Sequence, residues 1–238
     1  MIEHGVIHHG GRGILLDIEG TTSSVRFVYD VMFPFAREHL DAYLASAWET
    51  PECRSACEQI ARDAGHDAPI EKPWIHGEVL RLMDGDVKAT GLKQLQGLIW
   101  KSGFESGEMQ AHVYDDVPPA LDAWNAAGCD VRIYSSGSVQ AQKLFFGHTI
   151  AGNLLDRFRG HYDTTTGPKK EAESYRRIAE DFAIAPGEIL FLSDVVDELH
   201  AARTAGLATA LCLRPGNAPA PADHGHAVLT GFAQVRLS

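Results

Sequence analysis

Short apolar runs that stop abruptly at a polar residue recur along the chain. The first of them ends at Asp17, and a later one ends at Ser193. Strands that are buried on both faces of a parallel sheet have this pattern, because they lack the alternation of apolar and polar residues seen in half-exposed strands. The pattern predicts four strands, at residues 14–16, 131–134, 189–192 and 208–213.

Helical patterns lie between the predicted strands. Three of them are followed by a glycine that can end a helix, at Gly128, Gly147 and Gly206. Alternation of strands and helices predicts an α/β fold, with a parallel sheet flanked by helices on both faces and right-handed connections. The predicted helices are residues 118–127, 139–146, 170–182 and 196–205.

One long stretch breaks this alternation. Residues 28–111 show aromatic and aliphatic residues at helical spacing and no convincing strand. We therefore predict an all-helical cap over residues 28–111, inserted after the first strand of a core made of residues 1–27 and 112–238. The insertion follows the carboxyl end of a strand, which is the edge where open α/β sheets bind ligands.

Four polar clusters follow or adjoin the predicted strands. Any one of these clusters alone could be an ordinary turn or helix cap, because Gly, Ser and Asp are common in turns and at helix N-termini. Parallel strands end at a common edge, however, so the clusters should converge on one place. They are residues 17–22, 135–138, 167–170 and 193–198.

Two carboxylates in the first cluster fit phosphoryl transfer to a side chain. Asp17 would attack phosphorus and form an aspartyl-phosphate. Glu19, two residues later, points to the same side if the backbone is extended, and would protonate the leaving oxygen and then activate water. Gly20 lets the chain bend close to a ligand.

The other clusters supply what a bound phosphate requires. Ser135 and Ser136, with backbone N–H groups at the following helix start, can donate to phosphate oxygens. Lys169 adds a positive charge. Asp17 and Asp194 can hold Mg²⁺, a hard cation that takes one or two carboxylates, phosphate oxygen and water. That charge would offset repulsion between the nucleophile and the phosphate dianion.

This combination resembles the haloacid dehalogenase (HAD) superfamily, and within it the enolase-phosphatases of methionine salvage. The superfamily's usual first motif is Asp-x-Asp-x-Thr, whereas this chain reads Asp-Ile-Glu-Gly-Thr-Thr, with Glu19 in place of the second Asp. The resemblance covers about residues 14–214 and implies a HAD-like Rossmannoid sheet with a helical cap. Further matching stretches are residues 91–93, 95–97, 99–100, 133–138, 141–144 and 173–176.

The resemblance also implies roles for individual residues. Asp17 matches the nucleophile and a metal ligand, and Glu19 matches the acid/base, with its backbone carbonyl on the metal. Ser135 and Ser136 match contacts to the substrate phosphate. Asp194 matches the other carboxylate ligand of Mg²⁺.

The lysine and the second acidic residue leave alternatives open. Lys169 matches the family lysine as a catalytic and substrate-binding residue, although Lys170 is adjacent and Pro168 precedes the pair. The spacing to residues 173–175 favours Lys169. Glu198 has the spacing of a second acidic residue and is equally well a plain helix-surface carboxylate, while Asp197 is one residue off that spacing.

Charge and composition exclude several other classes of function. The 238 residues carry 21 Lys+Arg against 32 Asp+Glu, a formal net charge of −11. So acidic a chain is unsuited to sequence-independent nucleic-acid binding, which uses basic patches. No signal peptide or membrane span is apparent, and four cysteines without zinc spacing predict reduced thiols. We expect a cytoplasmic monomer with no nucleic-acid or membrane partner.

The resemblance implies a substrate, 2,3-diketo-5-methylthiopentyl-1-phosphate, enolised and then dephosphorylated to 1,2-dihydroxy-3-keto-5-methylthiopentene. One alternative is a generic sugar-phosphate phosphatase without enolase activity. A second is dehalogenation, which uses an Asp nucleophile but needs neither a general acid nor Mg²⁺, so that Glu19 and Asp194 argue against it. A third is a non-catalytic binding module, which the intact set of charged residues disfavours.

Overall fold

The computed structural model describes residues 5–237. They form two compact units: residues 29–109, and the flanking residues 5–28 with 110–237. We call the first the cap unit and the second the core unit. The strands, all in the core unit, are β1 (Ile7–His9), β2 (Gly13–Leu16), β3 (Asp130–Tyr134), β4 (Gly160–Tyr162), β5 (Ile189–Ser193), β6 (Ala208–Cys212), β7 (Ala227–Leu229) and β8 (Val235–Leu237).

The core unit is built on a parallel sheet of six strands in the order β4-β3-β2-β5-β6-β7. β2 lies between β3 and β5, and all four of its residues are buried. Leu16 is in register with Ile133 and Leu192, so these strands end at the same level. Asp17, which follows β2, and Ser193, the last residue of β5, therefore lie at one edge of the sheet, as predicted.

The sequence analysis missed four short strands. β4 and β7 add the two edges of the sheet, and β1 pairs with β8 in a separate parallel pair. Each of the four has three residues, too few to show a buried run or an alternation. His8 and His9 lie in β1.

Helices alternate with the strands in the core unit and make up the cap unit. Residues 29–109, all of them described, contain no strand. The helices are α1 (Val25–Phe27), α2 (Phe33–Glu38), α3 (Leu40–Ala47), α4 (Pro51–Ala64), α5 (Lys72–Asp84), α6 (Thr90–Ser106), α7 (Val117–Ala126), α8 (Val139–Gly147), α9 (Ala172–Phe182) and α10 (Val196–Thr204), with a π-helical segment at Val28–Met32 and 3-10 turns at Leu155–Arg157, Pro186–Glu188 and Phe232–Gln234.

The helix boundaries follow the predicted ones to within two residues. α9 buries Tyr175, Ile178, Ala179 and Phe182, the positions expected from its helical spacing. It begins at Ala172 rather than at Lys170, because the lysines lie in the preceding turn. Among the described residues, no helix is both long and apolar enough to cross a bilayer.

In the cap unit, helices α4 and α6 approach each other closely. A Cβ atom at Gly91 in α6 would lie only 2.4 Å from the backbone nitrogen of Ile60 in α4. The contact brings Leu92, Leu95 and Ile99 into one buried cluster with Ile60. A glycine in the first turn of α6 is therefore explained by packing of the two helices.

The guanidinium of Arg214 is buried in the core unit, where it joins three segments. Its Nε donates to the carbonyl of Thr21 at 3.1 Å, and its Nη1 donates to both carboxylate oxygens of Asp116 at 3.0 and 2.9 Å. The rings of Tyr114 and Phe232 lie on it at 4.5 and 4.7 Å. Asp116 thus neutralises a cation whose side chain is only 4% exposed.

Replacing Asp116 by alanine should lower the free energy of unfolding by about 3 kcal/mol, because a buried charge then loses its partner. Urea denaturation measures the loss. Asp122→Ala is the matched control, since Asp122 pairs with Arg157 at 2.9 Å in an exposed ion pair, and its loss should stay below about 1 kcal/mol. Equal losses in the two variants would contradict this role of Asp116.

Candidate active site

A buried carboxylate lies at the centre of the cluster predicted at the sheet edge. Asp17 follows β2, and its side chain is 4% exposed. The backbone N–H of Ile18 donates to its Oδ1 at 2.8 Å, and the hydroxyl of Ser193 donates to its Oδ2 at 3.2 Å. The ammonium of Lys169 lies 2.7 Å from Oδ1. The carboxylate is therefore held in one orientation.

The chain turns back sharply after Asp17, and Gly20 makes that turn possible. Gly20 has a φ of +72°, in the left-handed region, and its N–H donates to the carbonyl of Ser23 at 2.8 Å. A Cβ atom at this position would lie 2.2 Å from Oδ2 of Asp194. Any other residue would strain the turn and displace that carboxylate.

The structure distinguishes the two adjacent lysines. Lys169 is buried, and its Nζ lies 2.7 Å from Asp17 Oδ1 and 2.7 Å from Glu198 Oε2. Lys170 is exposed and pairs with the exposed Asp197 at 2.8 Å. Lys169, the residue favoured by the spacing, is therefore the lysine of the cluster. Glu198, for which the sequence left two interpretations open, is buried beside it.

Charge attraction dominates the environment of Lys169. Burial alone would lower the pKa of Lys169, but Asp17 and Glu198 outweigh it and hold the pKa above its usual value. Burial raises the pKa of Glu198 to about 7, with the charge of Asp17 adding to the effect and Lys169 opposing it. Lys169 is therefore a permanent cation between two carboxylates.

Glu19 lies in the same cluster. The hydroxyl of Ser135, directly after β3, donates to its Oε2 at 3.4 Å. Burial raises the pKa of Glu19, and the charge of Asp17 raises it further. A carboxyl with a raised pKa keeps its proton more readily, which is what a general acid requires.

Asp194 is the fourth carboxylate of the cluster. Burial raises its pKa to about 7, and the negative charge of Asp17 contributes. The side-chain amide oxygen of Asn217, on the same side of Gly20, is buried without a hydrogen-bond donor in the described part of the chain. This end of the site is rich in oxygen atoms and poor in donors.

A hard divalent cation fits the donor set. Asp17, Glu19, Asp194 and Glu198 bring four carboxylates together, while Lys169 is the cation paired with two of them. Within residues 5–237, no three His, Cys, Asp or Glu side chains are arranged as a metal cluster. Two carboxylates with carbonyl, phosphate and water oxygens are nevertheless a usual arrangement for Mg²⁺.

Most of the predicted site residues therefore come together, and one further residue joins them. Ser136 is exposed, while its neighbour Ser135 is buried. The sequence analysis gave no role to Ser193, whose hydroxyl donates toward both Asp17 and Glu198, at 3.2 and 3.1 Å. Its position at the end of a predicted strand was the one feature of the sequence that could have indicated a place in the site.

The cap unit holds a separate cavity of about 290 Å³. Tyr29 and Phe33 line it together with Gln96. In the same unit, Trp100 donates its indole N–H to the carbonyl of Met32 at 2.7 Å.

Comparison with known proteins agrees with this geometry. The model of the family described as haloacid dehalogenase-like hydrolase matches residues 12–206. Enolase-phosphatase E1 of Drosophila mojavensis is 46% identical over 234 residues, covering 94% of each chain. Enolase-phosphatase E1 of Sorangium cellulosum is 47% identical over 225 residues, covering 94% of this chain and 97% of the relative. The chain belongs to the enolase-phosphatase E1 family.

A solved structure extends the comparison to the fold. The crystal structure of the UTR4 protein from Saccharomyces cerevisiae has a TM-score of 0.80 and 34% identity, covering 94% of this chain and all of that one. The family, the HAD-like α/β fold and the phosphatase class of enzyme predicted from the sequence are thereby confirmed.

Proposed function

We propose that this member of the enolase-phosphatase E1 family is a Mg²⁺-dependent enzyme of methionine salvage. Its substrate is 2,3-diketo-5-methylthiopentyl-1-phosphate, which it enolises and dephosphorylates to 1,2-dihydroxy-3-keto-5-methylthiopentene. The observation that carries the phosphatase half is the buried Asp17 carboxylate with the Lys169 ammonium at 2.7 Å.

The phosphatase step divides between Asp17 and Glu19. A carboxylate oxygen of Asp17 forms a bond to phosphorus while the bond from phosphorus to the substrate oxygen breaks, and Glu19 gives its proton to that oxygen. Water then attacks the aspartyl-phosphate, and Glu19 takes a proton from it. Asp17 is regenerated as phosphate leaves. The raised pKa of Glu19 supports its part as the acid.

The phosphoryl group is held by the residues around Asp17. Lys169 supplies a fixed positive charge beside the nucleophile, and the hydroxyls of Ser135 and Ser136 donate to phosphate oxygens. Asp17 and Asp194, with the backbone carbonyl of Glu19, would hold Mg²⁺. When bound, the cation supplies charge that offsets repulsion between carboxylate and phosphate.

One incubation tests the assignment. The diketo phosphate and Mg²⁺ are added to the enzyme, and enol absorbance and released phosphate are followed together. Both signals should appear. Turnover of several phosphomonoesters without the enol signal would instead indicate a generic sugar-phosphate phosphatase. EDTA should abolish phosphate release, whereas turnover of a halogenated acid that survives EDTA would favour dehalogenation, which needs no Mg²⁺.

Lys169→Ala should lower kcat/KM by roughly 10²–10³-fold, because it removes charge beside the transferred phosphoryl group. Both kcat and KM should worsen, since the cation acts on the bound and the transition state. Lys170→Ala is the matched control and should stay within about 3-fold, as its exposed pair contributes little. Steady-state kinetics measures kcat and KM of both variants. A larger loss of kcat/KM in Lys170→Ala than in Lys169→Ala would mean that Lys170 is the functional lysine.

Asp194→Ala should raise the Mg²⁺ concentration for half-maximal activity by roughly 10-fold or more. The reason is the loss of one of two carboxylate ligands. A Mg²⁺ titration of activity measures the shift, with Asp197→Ala as the control because Asp197 is exposed and pairs with Lys170. An unchanged titration curve would exclude Asp194 as a ligand.

The cytoplasmic location and the monomeric state remain predictions. All four cysteines are buried free thiols, which is consistent with a reducing compartment.

A further inference from the structure

The loop that carries Lys169 is held by side-chain hydroxyls at three consecutive carbonyl groups. Each carbonyl accepts one hydroxyl hydrogen bond of 2.7 or 2.8 Å. The pairs are Tyr134 to Gly167, Ser174 to Pro168, and Tyr175 to Lys169 itself. These hydrogen bonds fix the backbone carbonyls of the lysine and of the two residues before it. We call Tyr134, Ser174 and Tyr175 the loop clamp.

The loop clamp belongs to the rigid interior of the core unit. Tyr134 ends β3, whereas Ser174 and Tyr175 lie in the first turn of α9. Their exposed fractions are between 0 and 1%. The two tyrosine rings contact each other edge to face at a centroid distance of 5.4 Å, and Tyr175 also contacts Phe191 of the central sheet at 5.1 Å.

Gly167 shows how closely the loop is drawn against the clamp. Its φ is +152°, and a Cβ atom there would lie 2.2 Å from the hydroxyl oxygen of Ser174. The ring of Tyr134 also lies beneath the lysine, with the ammonium 5.8 Å from its centroid. Both observations place the clamp directly under the residue that faces Asp17.

A lysine side chain is long and flexible, so its ammonium is only as well placed as its backbone. We propose that the hydroxyls of the loop clamp are positioning groups for Lys169, holding its ammonium against Asp17 before the phosphoryl group arrives. Such preorganisation matters because displacements of about 1 Å can cost about 10²-fold in rate. This inference rests on the proposed phosphatase function.

The proposal gives a purpose to residues that the reaction itself leaves unused. Tyr134 opens the Tyr-Ser-Ser-Gly-Ser stretch, and Ser174 with Tyr175 forms part of the Glu-Ser-Tyr stretch. Neither tyrosine hydroxyl is directed to the four carboxylates; both are used on loop carbonyls. Their hydroxyls therefore hold the loop, in addition to the packing of their rings.

Tyr175→Phe tests the proposal, because it keeps the ring and removes the hydroxyl. We expect kcat/KM for p-nitrophenyl phosphate to fall by roughly 10-fold, together with weaker inhibition by inorganic phosphate. Tyr162→Phe is the matched control, since its hydroxyl bonds to Asp181 and Arg132 away from the loop. That variant should retain wild-type kinetics. Ser174→Ala provides a second clamp variant if Tyr175→Phe does not fold.

A double-mutant cycle separates positioning from general support of the fold. In a Lys169→Ala background, Tyr175→Phe should change the remaining activity by less than about 2-fold, because the hydroxyl acts through the lysine. An undiminished loss in that background, or wild-type kinetics of the folded Tyr175→Phe and Ser174→Ala variants, would overturn the proposal. Absence of phosphate release by the wild-type enzyme would overturn the proposed function instead, and this inference with it.

Discussion

Asp17→Asn should reduce phosphate release by at least about 10³-fold, the largest effect we expect from any single substitution. The amide has nearly the shape of the carboxylate, so the hydrogen bonds from Ile18 and Ser193 can largely persist. It is a poor nucleophile, however, and it cannot form the aspartyl-phosphate. It also withdraws one of the two charges that Lys169 contacts.

A thermal unfolding measurement on Asp17→Asn shows whether the loss of phosphate release is due to loss of structure. The variant should unfold near the wild-type temperature, because removing one negative charge also relieves repulsion on Glu19 and Asp194. Asp181→Asn, an exposed aspartate paired with Arg132, is the control and should keep full activity. A folded Asp17→Asn enzyme with more than a few percent of wild-type turnover would show that another residue is the nucleophile.

The sequence predicted the central strands well because their signal is local. Residues 14–16 of β2 and 189–192 of β5 are continuous apolar runs in which every residue is buried, and such runs have few other interpretations. β4, by contrast, contains Gly160 and His161 and is only half-buried. Its place at the sheet edge comes from pairing with β3, which no window of three residues can reveal.

The candidate site was predictable to the extent that sheet topology controls it. Residues at the ends of β2 and β5 had to meet once the strands were parallel, which brings Asp17 to Ser193. The burial of Glu198 was not predictable in the same way. A carboxylate in the first turn of a helix is ordinarily exposed, and here its burial depends on Lys169 reaching it from another loop.

The positions of the two lysines in this loop could not be predicted from the hydrophobic pattern either. Lys169 and Lys170 are chemically identical neighbours, and only the folded loop separates a buried ammonium from an exposed one. The loop is fixed by hydroxyls from β3 and α9, which are distant from each other in sequence. The spacing to residues 173–175 favoured Lys169 as the lysine of the cluster, whereas the hydrophobic pattern alone could not distinguish the two lysines.

Glu19→Gln should slow phosphate release by roughly 10²–10⁴-fold, the usual contribution of general acid–base catalysis. Glutamine keeps the size and can still accept the hydrogen bond from Ser135, but it cannot exchange a proton. With p-nitrophenyl phosphate the first step should suffer less, since a good leaving group needs little protonation. Hydrolysis of the intermediate still needs the base, so phosphorylated Asp17 should accumulate and be detectable by mass spectrometry.

Enol formation should survive Glu19→Gln better than phosphate release does, if a different group removes the carbon-bound proton. Glu is one methylene longer than the Asp of the usual superfamily motif, and its buried carboxyl, with a raised pKa, is suited to the bridging oxygen of this substrate. Glu173→Gln, in an exposed ion pair with Arg176, serves as the control. Equal loss of enol absorbance and phosphate release would mean that Glu19 serves both reactions, and the proposed division between them would be wrong.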